Sequence, residues 1–147
     1  TISDIKALLD MWERQENFVA DVIVIDYADI LAPDKDTIRM DYRHQENRKW
    51  QRLRSLSQQR HCLVVTATQS DADSYERDLL KMVNFSETKS KLAHVTAMYG
   101  LNQTPEEKKL GIMRINEIVV REGDFDQQRT VKVLQRLQMG RPYLGSF

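Results

Sequence analysis

The chain has little of several things that define common protein classes. It has one cysteine, Cys62, in 147 residues, which excludes an internal disulfide framework and a cysteine-rich zinc module. Its longest apolar runs, such as Val22 to Ile25, fall far short of the roughly 20 residues that a membrane-spanning helix needs. The N-terminus has neither the basic start nor the apolar stretch of a signal peptide. We therefore expect residues 1–147 to form a single domain in the cytoplasm, with no membrane partner.

The chain also lacks net charge. Its 22 basic residues balance 22 acidic ones, which excludes a wholly basic coat for nucleic acid and an acidic tail. The charge is nevertheless sorted: residues 1–37 carry three basic and nine acidic residues, residues 38–61 carry seven and two, and residues 127–147 carry four and none. Such sorting can direct a polyanion to one face, although a charged, solvated helix surface is the simpler explanation.

Hydrophobic periodicity predicts that helices and strands alternate in the first half of the chain. A helix predicted over residues 3–16 has apolar side chains at the spacing of one buried face, Ile5, Leu8, Leu9 and Trp12. Val22 to Ile25 and Cys62 to Ala67 are continuous apolar runs, which are typical of strands buried on both faces of a parallel sheet. Residues 36–60 between them are rich in helix formers. This alternation predicts an α/β fold.

The second half of the chain is richer in strands. A short helix is predicted over residues 75–83, and a polar, mobile stretch over residues 84–91. Residues 94–101 are predicted as a strand, residues 112–137 as a β-hairpin and residues 140–145 as a C-terminal turn. The sequence from Thr104 to Lys109 is typical of a turn or of one helical turn.

Two polar side chains follow the first two predicted strands. Asp26 comes directly after the first strand, and Gln69 follows the second. Because the carboxyl ends of parallel strands meet at one edge of a sheet, we expect these side chains to lie side by side where ligands bind. A carboxylate there can hold Mg²⁺, and a neutral amide can sense a phosphate oxygen or orient a water molecule. A loop cap and a solvated turn residue are the structural alternatives.

These segments resemble those of DnaB-type hexameric helicases and other RecA-like ATPases. The run DVIVIDYADIL from Asp21 resembles their Walker B segment, and LVVTATQS from Leu63 resembles the next strand, which ends in a phosphate-sensing glutamine. The run EIVVREG from Glu117 resembles the late strand that carries Lys-x-Arg-x-Gly. The resemblance covers most of the chain. It implies part of a RecA-like P-loop NTPase sheet, mostly parallel and flanked by helices, with a C-terminal β-hairpin.

The resemblance implies a role for each matching residue. Asp26 corresponds to the Mg²⁺-associated Walker B acid, Gln69 to the sensor of the ATP γ-phosphate and Arg121 to the arginine finger that reaches a neighbouring subunit's nucleotide. The family's lysine two residues before that arginine is Val119 here, so a hairpin arginine paired with Glu122 is the alternative for Arg121. Mg²⁺ and ATP are the cofactors expected for the full-length protein, with none bound to this chain alone.

The sequence contains no glycine-rich P-loop. Gly140 and Gly145 have the spacing of its two glycines, but Ser146 stands where the lysine is needed. Since the P-loop half precedes the Walker B strand in this family, the resemblance implies that the chain is the C-terminal portion of a RecA-like core. We therefore expect no ATP hydrolysis by the chain alone. We also expect open strand edges and self-association, with hexamers formed by the full-length parent.

Basic residues in two predicted loops are candidates for contact with single-stranded DNA. In RecA-like motors the loops after these two strands face a central channel, and here they span roughly residues 32–46 and 70–92. The candidate residues are Arg39, Arg43, Lys81, Lys89 and Lys91. Contacts with phosphates would weaken as salt rises. The alternative is that these side chains serve solubility, and the sequence does not distinguish DNA from RNA.

Two other functional classes are consistent with the sequence. A metal-dependent nuclease would use Asp26, Glu46 and either Asp71 or Asp73 as ligands of two metal ions, although Glu46 is expected on the surface of a helix. A non-catalytic module that binds nucleic acid or protein is consistent with the missing P-loop. The three histidines lack the spacing of a zinc site.

Overall fold

The computed structural model describes residues 1–70, 79–83, 85 and 89–147. Two units, Thr1–Gln69 and Ser70–Phe147, each form most of their contacts internally. The first unit contains a two-stranded parallel sheet, and the second contains a four-stranded antiparallel sheet. The predicted α/β class with a C-terminal hairpin is confirmed, although parallel pairing is confined to the first unit among the described residues. That the chain acts as a single domain stays a prediction.

Helix α1 (Ile2–Glu16) begins at the predicted capping pair. The Thr1 hydroxyl accepts a hydrogen bond from the Asp4 N–H at 3.2 Å, and the Asp4 carboxylate accepts one from the Thr1 ammonium group at 3.0 Å. This reciprocal cap satisfies donors that a helix start leaves free. Leu9 is buried whereas Trp12 is exposed, so the buried face of the helix is narrower than its periodicity predicts.

Helix α2 (Tyr42–Arg60) packs against the second of two short strands, β1 (Val22–Ile25) and β2 (Leu63–Thr66). The apolar face predicted for this helix is buried and consists of Trp50, Leu53 and Leu56. The helix starts at Tyr42 rather than at residue 36, because Asp41 caps it and accepts a hydrogen bond from the His44 N–H at 3.1 Å.

The strands β1 and β2 pair in parallel, as predicted, with Val22 opposite Leu63. The prediction that both faces of this pair are buried is wrong. Val22, Val24, Leu63 and Val65 share one exposed face of the pair. A continuous apolar run shows that a strand tolerates burial on both faces, but the helices of this unit leave one face open.

The second unit is built on strands β3 (Ala97–Asn102), β4 (Ile112–Val120), β5 (Thr130–Arg136) and β6 (Arg141–Ser146), which neighbour one another in that order. The predicted hairpin of β4 and β5 is confirmed. The C-terminal turn predicted at residues 140–145 is wrong, because these residues belong to β6, which pairs with β5 at the sheet edge. Its glycine and proline resemble a turn, yet proline is tolerated on an edge strand, where its missing N–H costs no ladder bond.

Two short helices also belong to the second unit. Helix α3 (Lys89–His94) lies where the sequence predicts a polar stretch. Helix α4 (Pro105–Leu110) has a capping box at Thr104 and ends at Gly111 in the left-handed conformation, with φ of 70°. The helix predicted over residues 75–83 lies largely outside the described residues.

Two buried asparagines organise the interior of the second unit. The Asn102 side-chain Nδ2 donates a hydrogen bond to Asn116 Oδ1 at 2.8 Å. The same pair holds both backbone groups of Leu80: its N–H donates to Asn102 Oδ1 at 2.6 Å, and its carbonyl accepts from Asn116 Nδ2 at 3.0 Å. These bonds fix one point of the chain against β3 and β4.

Candidate functional site

The carboxyl ends of β1 and β2 lie side by side, since Ile25 is opposite Thr66 in the parallel pair. Asp26 follows β1 directly, and its peptide bond to Tyr27 is cis. Gln69 lies just beyond β2, and its Nε2 donates a hydrogen bond to the Tyr27 hydroxyl at 3.4 Å. Asp26 and Gln69 are both exposed. The expected parallel pairing is confirmed, while the roles of the two residues stay predictions.

The Thr66 hydroxyl ties the end of β2 to the chain that leaves β1. It donates a hydrogen bond to the Ile25 carbonyl at 2.8 Å and accepts one from the Ala28 N–H at 2.9 Å. Ala28, fully buried, also donates its N–H toward the Ala67 carbonyl at 3.3 Å. These bonds continue the contact between the strands past their last paired residues.

Asp29 connects the two strand ends most directly, and the sequence analysis did not single it out. Its carboxylate accepts a hydrogen bond from the Thr68 hydroxyl at 2.7 Å and one from the Gln69 N–H at 3.0 Å. The available signal was its spacing, three residues after Asp26 in the Walker B-like segment. That spacing alone does not identify its partners, which lie about 40 residues later in the chain.

A buried ion pair lies behind Asp29. Lys49 Nζ lies 2.7 Å from Glu46 Oε1 and donates a hydrogen bond to the Asp29 carbonyl at 3.2 Å. Glu46 is only 3% exposed and Lys49 only 9% exposed. The expectation of a surface position for Glu46 is therefore wrong, because this face of α2 turns toward the chain after β1.

Arg52 joins two carboxylates on the same side of α2. Its guanidinium donates hydrogen bonds to Asp34 and, at 2.6 Å, to Asp36. Burial opposes the ionisation of Asp34, but hydrogen bonds from Ser3 and Arg52 outweigh it and lower the pKa of this carboxyl. The Arg52 hydrogen bond likewise lowers the pKa of Asp36. The cluster fixes the turn between β1 and α2 onto the helix.

Arg121, the candidate arginine finger, lies in the second unit just after β4. Its guanidinium donates hydrogen bonds to the carbonyl oxygens of Val95 at 2.7 Å, Ala93 at 2.8 Å and Leu92 at 3.1 Å. These carbonyls lie at the C-terminal end of α3 and just beyond it, where orphan acceptors attract a cation. Neither a finger role nor a pair with Glu122 is tested by this arrangement, and both stay predictions.

The candidate DNA-contacting residues differ in accessibility. Arg39, Arg43 and Lys81 are exposed. Lys91 is only 5% exposed, which does not suit direct contact with a phosphate backbone. The side chain of Lys89 lies outside the described part of the chain.

The chemistry of the sheet edge is compatible with Mg²⁺. Asp26 has no hydrogen bond or ion pair through its carboxylate within residues 1–70, 79–83, 85 and 89–147, so its oxygens are available as ligands. Mg²⁺ in nucleotide sites takes one or two carboxylates and completes its shell with phosphate oxygens and water. Among the residues that the structure describes, no three His, Cys, Asp or Glu side chains cluster as a metal site. Asp71 and Asp73, named for the nuclease, lie outside them.

None of the helices in the described ranges is long and apolar enough to cross a membrane.

Comparison with known proteins yields matches only among solved structures. No protein-family model matches the chain, and no curated protein sequence matches it. The solved ATPase domain of one DnaB-like replicative helicase superposes with a TM-score of 0.81 at 15% identity, covering 96% of this chain and 50% of that one. A second DnaB-like replicative helicase, described with its interactions with primase, superposes with a TM-score of 0.68 at 18% identity, covering 92% of this chain and 34% of that one.

The chain thus spans about half the length of the first of these structures and about a third of the second. At these identities the comparison establishes the fold, which is the RecA-like fold of the DnaB-like replicative helicase ATPase domain over the part that the chain covers.

Proposed function

We propose that this chain carries the Walker B acid, the phosphate-sensing glutamine and the trans-acting arginine of a DnaB-like ATPase motor. In this proposal the motor hydrolyses ATP only together with a P-loop, which the 147 residues do not encode. One observation supports it above all: the parallel pairing of β1 and β2 brings Asp26 and Gln69 to one edge of a sheet in a chain with the fold of that ATPase domain.

Each residue has a physical task in this proposal. Asp26 would hold Mg²⁺ through an exposed carboxylate, and the ion when bound would neutralise charge on the phosphates. The neutral amide of Gln69 would contact a phosphate oxygen or orient the attacking water without adding charge. Arg121 would exchange its three carbonyl partners for a phosphate of a neighbouring copy, where a guanidinium stabilises developing negative charge.

The motor would act on single-stranded DNA as an assembly of several copies, up to the hexamer that the resemblance implies, in the cytoplasm. The exposed cations Arg39, Arg43 and Lys81 would contact phosphates. Replacing them with glutamine should weaken DNA binding similarly for all sequences and reduce its salt dependence, because fewer counterions are then released.

The complete product of the gene that encodes this chain tests the proposal. We expect a P-loop before Thr1 in its reading frame, within about one domain length, and Mg²⁺-dependent ATP hydrolysis by the purified protein. Asp26→Asn and Gln69→Ala should each lower kcat about 100-fold or more. Asp21→Asn, at the opposite end of β1, is the matched control and should keep wild-type activity.

Two results would overturn the proposal. One is a complete product without a P-loop and without ATP hydrolysis. The other is robust ATP hydrolysis by the 147-residue chain alone that disappears in Asp26→Ala, which would show that the site is complete without a further half.

A further inference from the structure

The segment that carries Gln69 is held by side chains rather than by the strand ladder. The pairing of β2 with β1 ends at Thr66, so Gln69 lies beyond the last backbone ladder bond. A side chain at such a position orders only if other groups fix its backbone, since fixing one residue costs about 1–2 kcal/mol in conformational entropy. The Asp29 carboxylate fixes this backbone through the Gln69 N–H and the Thr68 hydroxyl.

Asp29 is itself held from behind. Its carbonyl accepts a hydrogen bond from the ammonium group of Lys49, which is buried and paired with Glu46 on the same helix. An ion pair this deeply buried gains little stability over apolar residues of the same size, so such pairs are best explained by what they position. Here the ammonium group points at the one backbone carbonyl that carries the acceptor for Gln69.

We propose that Asp29, backed by the buried Glu46–Lys49 pair, is a positioning residue that fixes Gln69 at the end of β2 beside Tyr27. This inference rests on the proposed function for the task that Gln69 performs, but the positioning itself is a property of the described geometry. Asp29 acts through Gln69 and needs no contact with a nucleotide.

Amide hydrogen exchange measured by NMR on the 147-residue chain tests the positioning without any activity. In Asp29→Ala the Gln69 amide should exchange about tenfold faster, since it loses a hydrogen bond to a charged acceptor. The amides of Val64 and Val65, within the ladder, should stay within about twofold of wild type. The matched control Asp21→Ala removes an acid at the other end of β1 and should leave Gln69 unchanged.

A second variant tests the buried pair. Glu46→Leu combined with Lys49→Met replaces both partners with apolar groups of similar size and leaves no buried charge unpaired. It should accelerate Gln69 exchange about threefold, because Asp29 then keeps its carboxylate but loses the donor on its carbonyl. Unchanged Gln69 exchange in the double variant would overturn the role of the pair.

Two outcomes would overturn the role of Asp29. In one, Gln69 exchange is the same in Asp29→Ala and wild type. In the other, exchange accelerates equally at Gln69, Val64 and Val65, which would show a general loss of stability.

Kinetics of the complete gene product separate this inference from the proposed function. There Asp29→Ala should lower kcat for ATP with KM within about twofold, the pattern of an interaction used in the transition state. A complete product without ATP hydrolysis would refute the proposed function while the exchange measurement still decides the positioning.

Discussion

At the scale of single residues, Arg52 and its two carboxylates are the clearest electrostatic feature of the first unit. Asp34 is buried and bonded to both Ser3 and Arg52, so removing the guanidinium leaves its charge poorly compensated. Arg52→Gln should lower the free energy of unfolding at pH 7 by about 2 kcal/mol, the range of a hydrogen bond to a charged group. Urea denaturation measures this loss. Arg39→Gln removes the same charge from an exposed position and should change stability by less than about 0.5 kcal/mol.

The same cluster predicts a pH dependence with a definite sign. The pKa values of Asp34 and Asp36 are lowered in the folded chain from the usual 3.8. Their contribution is therefore complete above that usual pKa and is lost as pH falls through the lowered folded values. The stability difference between wild type and Arg52→Gln should narrow when urea denaturation is repeated from pH 7 down to pH 3. A difference that widens in acid would contradict the assignment.

The sequence shows some of these residue-scale features and hides others. Thr1 and Asp4 form the capping box that their spacing predicts, because both partners lie within one turn of helix. The contacts of Asp29 with Gln69 and of Arg52 with Asp34 join residues far apart in sequence. No local pattern encodes such contacts, since they depend on how strands and helices pack.

At the scale of elements, the predictions succeed where periodicity alone decides. The parallel pair of β1 and β2 and the hairpin of β4 and β5 are both confirmed. The exposed face of β1 and β2 is not predicted, because a run of valine and isoleucine has the same pattern whether one face is covered or two. Strand β6 is not predicted because Gly140, Pro142 and Gly145 obscure its pattern.

Two glycines that end short helices allow a matched test of the turns in the second unit. Gly111 and Gly140 both adopt left-handed φ values, of 70° and 64°. An added Cβ at Gly111 would lie 2.4 Å from the Gln135 carbonyl oxygen, whereas one at Gly140 meets nothing within 4 Å. Gly140→Ala should therefore cost about 1 kcal/mol for backbone strain alone. Gly111→Ala should cost about 3 kcal/mol, because β4 and β5 must also shift.

Urea denaturation of both variants measures these costs. Equal losses would mean that the close approach of Gly111 to β5 relaxes freely, and would contradict the tight connection between α4 and the hairpin.

At the scale of the whole molecule, the first unit leaves an apolar surface without a cover. Val22, Val24, Leu63 and Val65 form it, and each of β1 and β2 pairs only with the other among the described residues. An exposed apolar face with open strand edges favours pairing with another chain. In the isolated chain the available partner is a second copy, so we expect association that grows with concentration.

A pair of lysine substitutions localises this association. Val24 is 73% exposed and Leu110, in the second unit, is 72% exposed, so either lysine is well solvated in the monomer. Val24→Lys should raise the apparent Kd for association at least about tenfold, because burying the apolar face then places charges together. It should cost less than about 1 kcal/mol in stability, as expected at an exposed strand position. Leu110→Lys should leave the Kd unchanged. Light scattering over a concentration series distinguishes the two variants, and a wild-type chain that stays monomeric throughout would show that the open face of β1 and β2 does not drive pairing.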